Sequence, residues 1–132
     1  MRDNRKNFSR VVLFIGILFI LLKFFDNISS FSSLYSILGF YGVIFSLLFD
    51  LWMIVPYFLF YFLFYKIKKL NNTSLFTGGI LMVLADIYTN YIYFTSADAQ
   101  TSFIFFVSPI YLIIIAGIGF LVGHTFSRFQ NK

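Results

Sequence analysis

Leu75 to Phe94 reads LFTGGILMVLADIYTNYIYF, a 20-residue run broken only by small hydroxyl and amide groups and by one carboxylate, Asp86. As a helix rising about 1.5 Å per residue, such a run is ~30 Å long, the thickness of the hydrocarbon core of a bilayer. An unpaired carboxylate in hydrocarbon is expensive, so an acid at this depth is a functional hypothesis by default and needs partners on other helices. The run therefore reads as one span of a helical membrane bundle that gathers around Asp86.

The remainder of the chain has the same character. Of its 132 residues 60% are hydrophobic and 11% are charged, whereas soluble domains carry about 25% charged residues. The 21 Phe and 9 Tyr exceed what a core of this size hides, so many must face lipid tails and headgroups. Three more apolar runs complete four expected spans, at about 9–28, 37–65, 75–95 and 103–123. The runs are continuous and lack the alternation of barrel strands, which implies helices. The expected fold is all-α: a polytopic integral membrane protein whose four transmembrane helices form one compact bundle, with loops over Asn27–Ser33, Asn71–Ser74 and Thr95–Ser102. A cleaved signal peptide is the rival reading of the first run, but Lys23-Phe24-Phe25-Asp26 ends it without a good small-x-small site.

The basic residues set the orientation. Arg2, Arg5, Lys6, Arg10, Lys66, Lys68, Lys69, Arg128 and Lys132 are nine of the ten Lys and Arg, and all fall on one side of a four-span topology. Positive residues stay inside, so both termini are expected in the cytoplasm, with the bacterial cytoplasmic membrane as the expected location. This clustering at the ends of apolar runs also excludes nucleic acid as a partner, despite the net charge of +5. With no cysteine, disulfides and thiolate metal sites are excluded. The residues suggest no metal and no cofactor.

Depth along each helix locates a candidate polar cluster. Asp86 lies ~17 Å and Asn90 ~23 Å from Leu75, four residues apart on one helix face. Lys23, Asp50, Ser108 and Tyr111 fall ~20–24 Å from the inner ends of the other helices, in the same layer. Lys23 paired with Asp50 or Asp86 lowers the cost of burying each charge. Asp86 has a structural reading, as packing glue between helices, and a functional one, as part of an ion pathway. Pro56 and Pro109 are expected helix kinks. For Pro109 the alternative is a helix starting there, with Ser108 as its cap. Gly119 and Gly123 form a G-x-x-x-G spacing that permits close helix approach, within the chain or between copies. Tyr57, Tyr61 and Tyr65 recur every four residues, and the two deeper hydroxyls should face other helices.

No catalytic constellation is present. Asp50 and Asp86 as an intramembrane aspartic dyad would share the four-span plan of the signal peptidase that cleaves lipoproteins. Phe49-Asp50-Leu51 and Ala85-Asp86-Ile87 lack the fuller motifs of that family. Small multidrug exporters centre on a first-helix glutamate, and this chain has no glutamate. Three function classes remain. The first is a non-enzymatic membrane protein acting through helix–helix contacts with a membrane partner, as an accessory subunit or an immunity-type protein. The second is an oligomeric channel or transporter for ions or protons that uses Asp86 and Asp50. The third is a membrane-disrupting, holin-like effector. The expected partners are the lipid bilayer and either another membrane protein or further copies of the chain.

Overall fold

The computed structural model describes the backbone over residues 2–66, 71–95 and 100–130, with the side chains at 2, 3, 27, 29–34, 38, 64–66, 100–105 and 130 left aside. The side chains of Tyr65 and Lys66, the lysines at 68 and 69, Lys132 and residues 96–99 of the Thr95–Ser102 connection thus lie outside the described residues, while the backbone from Gln100 on is already helix. The described backbone is helical over Arg2–Lys66, Asn72–Thr95 and Gln100–Gln130. Within it four stretches are long and apolar enough to cross a membrane: Asn4–Asp26 (α1), Gly39–Leu63 (α2), Asn72–Thr95 (α3) and Phe106–Phe129 (α4). The protein is a small all-helical membrane protein whose four membrane-length helices pack as a bundle.

The first connection differs from the expected loop. The serine-rich stretch NISSFSS, starting at Asn27, continues the helix of α1, and the break comes only at Gly39, with φ 64° and ψ −157°. The stretch between Asp26 and Gly39 contains neither proline nor glycine, so nothing in the backbone ends the helix. Gly39 is the first residue that takes this left-handed, glycine-only conformation without steric cost. Helix continues through both prolines as well: Pro56 lies inside the first helical run and Pro109 inside Gln100–Gln130. A helix starting at Pro109 is therefore not what forms.

Contacts between helices set the register. α1 runs alongside α3 in the same direction: Arg5 Nε donates to Asn72 Oδ1, the Phe8 and Phe76 rings lie 4.4 Å apart, and Tyr93 donates to Asp26 Oδ2 at 3.0 Å. α3 and α4 approach each other closely along their backbones, and glycine is the reason. A Cβ on Gly119 would lie 2.8 Å from the Cα of Gly78, and one on Gly123 would lie 2.8 Å from the carbonyl oxygen of Thr73 and 2.9 Å from the nitrogen of Ser74. The G-x-x-x-G spacing of α4 thus meets Ser74 and Gly78 of α3, a small-residue pair at the same spacing, and is used within the chain. The core between all four helices holds Val12, Tyr57, Phe60, Met82 and Leu112. Large apolar side chains such as Phe14, Phe45, Ile114 and Leu121 cover the outside, as a lipid-facing surface requires.

Candidate functional site

Tyr57 is where the helices converge. It follows Pro56 on α2, is 1% exposed, and lays its ring over Gly16 of α1, where any larger residue would collide with it. Its hydroxyl donates to Oδ2 of Asp86 on α3. Asn90, one turn further along α3, donates from Nδ2 both to Oδ1 of Asp86, at 3.1 Å, and to its backbone carbonyl, at 2.8 Å. Both carboxylate oxygens of Asp86 are therefore engaged by donors of the same chain, in a residue only 2% exposed. Buried polar groups that are fully partnered rigidify a core, whereas half-partnered ones destabilise it.

Lys23 supplies the charge. It is 4% exposed, and its ammonium interacts electrostatically with both Asp86 and Asp50. Asp50 is half-buried on α2. At low effective dielectric such attraction offsets part of the desolvation of each ion. The far end of the cluster is the hydrogen bond between Tyr93 and Asp26, and Tyr93 also senses the charge of Asp50. Lys23 of α1 thus stands between carboxylates from α2 and α3.

Ser108 and Tyr111 are placed elsewhere. Ser108 is buried, but its hydroxyl donates to the Met53 sulfur at 3.2 Å, tying α4 to α2. Trp52 reinforces that seam by donating from Nε1 to the Phe106 carbonyl at 3.3 Å, and Phe49 stacks near Phe106 with ring centroids 5.7 Å apart. Tyr111 is 44% exposed on the outward side of α4. The structure therefore groups Lys23, Asp50, Asp86 and Asn90, and adds Tyr57, Tyr93 and Asp26. No family model, curated protein or solved structure matches this chain.

The period-four tyrosine pattern marks Tyr57 as inward-facing, but nothing in it says which acceptor the hydroxyl reaches, because that depends on the rotation of α2 against α3. Gly16 carries a weaker signal still: a lone glycine in an apolar run is compatible with any helix contact. Chemically, the arrangement can hold a fixed ion pair and a shared hydrogen bond. Among the described residues no three of His, Asp or Glu lie together as a metal site would require.

Proposed function

We propose that this protein is non-enzymatic and acts through helix–helix contacts with another membrane protein, as an accessory subunit or immunity-type protein. The observation that carries this reading is the occupied state of the interior carboxylate: Tyr57 and Asn90 each donate to one oxygen of Asp86, and Lys23 opposes its charge. A polar interior committed to holding the bundle leaves the outer helix faces for recognition. In this reading both termini lie in the cytoplasm, since nine of the ten Lys and Arg then fall inside.

The test is photo-crosslinking in cells from single lipid-facing positions, Phe14 and Leu18 on α1 and Ile114 and Leu121 on α4, all exposed. The expected result is an adduct with one particular membrane protein, obtained from one helix face and not from the others. Adducts with lipid alone from every position would overturn the proposal.

A second reading is favoured by one observation. Lys23, Asp50 and Asp86 bring charges of both signs into the interior, and intramembrane ionisable groups are typical of ion and proton paths. In that reading several copies assemble a conducting channel or transporter that uses Asp86 and Asp50.

A further inference from the structure

The interior of the bundle is apolar in one half and polar in the other. Along α3 the buried residues are first Ser74, Leu75, Gly78, Gly79 and Met82, then Asp86, Thr89 and Asn90. Asp86, Thr89, Asn90 and half-buried Tyr93 stand at i, i+3, i+4 and i+7, on one face of the helix. The neighbouring helices change in the same direction along the bundle. On α1 the buried Val12 and Gly16 give way to buried Lys23. On α2, which runs the other way, buried Phe60 gives way beyond Tyr57 and Met53 to half-buried Asp50.

The two halves are closed by different means. Toward the Arg5 end, aromatic rings fill the space between helices. A Cβ on Gly79 would lie 2.7 Å from Phe60 and 2.8 Å from Phe8, and one on Gly78 would lie 2.8 Å from Phe120. Toward the Tyr93 end the interior opens by degrees. Asp86, Lys23 and Asn90 are 2%, 4% and 6% exposed, Asp50 and Tyr93 are half-buried, and Asp26 is exposed. From Asp86 to Tyr93 is a rise of only ~10 Å. At the mouth of this route stands the exposed hydrogen bond from Tyr93 to Asp26. Asp26 ends the membrane-length stretch of α1, and Tyr93 lies two residues from the end of α3. Water replaces either partner of such a bond, so it adds little net stability and opens as a local fluctuation. Water that enters hydrates Lys23, Asp50 and Asp86, whose mutual attraction replaces only part of their lost hydration.

We propose that the polar half of the interior is a one-ended pocket, which water enters past Tyr93 and Asp26 with their hydrogen bond as the latch. Water reaches Thr89, Asn90 and Lys23 when the latch opens and stops at Met82 and Phe60. The buried charges are thus hydrated from one end of the bundle, and no path continues to the other. The pocket concerns the interior alone and stands independently of the partner reading, which concerns the outer helix faces.

The chain has no cysteine, so single cysteines report on water access without background. Thr89→Cys is the probe inside the pocket, a mild change because the Thr89 hydroxyl bonds to the Ala85 carbonyl of its own helix. Met82→Cys probes the sealed half, and the exposed positions of Thr95→Cys and Asn4→Cys mark the two ends. Each is treated with trimethylammonium-ethyl methanethiosulfonate, which does not cross membranes, in intact cells and in inverted vesicles. Thr89→Cys is expected to react only in the preparation where Thr95→Cys reacts, and Met82→Cys in neither. Adding Tyr93→Phe, which removes the latch hydroxyl, should speed the Thr89→Cys reaction about fivefold, the scale of one hydrogen bond. Tyr91→Phe, at a position 65% exposed on the outer side of α3, should leave the rate unchanged. Reaction of Thr89→Cys from the Asn4 end, or from neither end, overturns the proposal. So does a Met82→Cys reaction as fast as that of Thr89→Cys, or a rate that Tyr93→Phe does not alter.

Discussion

Lys23→Met is expected to destabilise the folded bundle by about 3–5 kcal/mol, the usual cost of removing one member of a buried ion pair. The size follows from geometry: Lys23 interacts with both Asp86 and Asp50, so its loss leaves two carboxylates without their shared cation. Asp86→Asn is expected to cost much less, about 1 kcal/mol, because an amide keeps the shape, can still accept from Tyr57, and leaves Lys23 with Asp50. Combining the two substitutions should recover part of the Lys23→Met loss, since Asp50 is then the only carboxylate of the pair left facing an apolar side chain. Reversible unfolding in mixed micelles, followed by circular dichroism for the two single variants and the double variant, measures this coupling. Equal, additive costs for the two single substitutions would mean that Lys23 and Asp86 do not act on each other.

Gly123→Leu is expected to separate α3 from α4 and to cost about 3 kcal/mol or more, at the upper end of overpacking penalties. Even a Cβ at this position would lie within 2.9 Å of backbone atoms of Thr73 and Ser74, and backbone at a helix start cannot rotate away as a side chain can. Gly117→Leu, six residues earlier on the same helix, is the matched control. Nothing lies within 4 Å of its missing Cβ and it faces outward, so it should be neutral or slightly stabilising through helix propensity. Thermal unfolding of the two variants in the same detergent separates them. Similar losses for both would place the close contact of α4 on a different face.

Much of this architecture is legible before any coordinates. The four spans follow from length and hydropathy because a bilayer admits few alternatives to a continuous apolar helix. The burial of Asp86 beside Asn90 follows from its position amid apolar residues and from helical spacing. What could not be read depends on how helices rotate and on where the backbone breaks. The stretch from Asn27 to Ser33 has the composition of a loop, yet it continues as helix because no residue before Gly39 favours stopping it. Ser108 shares the depth of the cluster but bonds to Met53, because α4 is rotated to place Gly119 and Gly123 against α3. Tyr111 shares that depth too, and the same rotation turns it outward. Depth sets the layer in which a residue sits; the glycine contacts set its direction.

The central claim is that the interior charges close the bundle and do not conduct. Proton and ion flux into liposomes carrying the purified protein tests it most directly, comparing wild type with Asp86→Asn. The expected result is flux no higher than in protein-free liposomes for both, with both proteins folded. Flux carried by the wild type and lost in a folded Asp86→Asn protein would contradict the account and make Asp86 part of a conduction path.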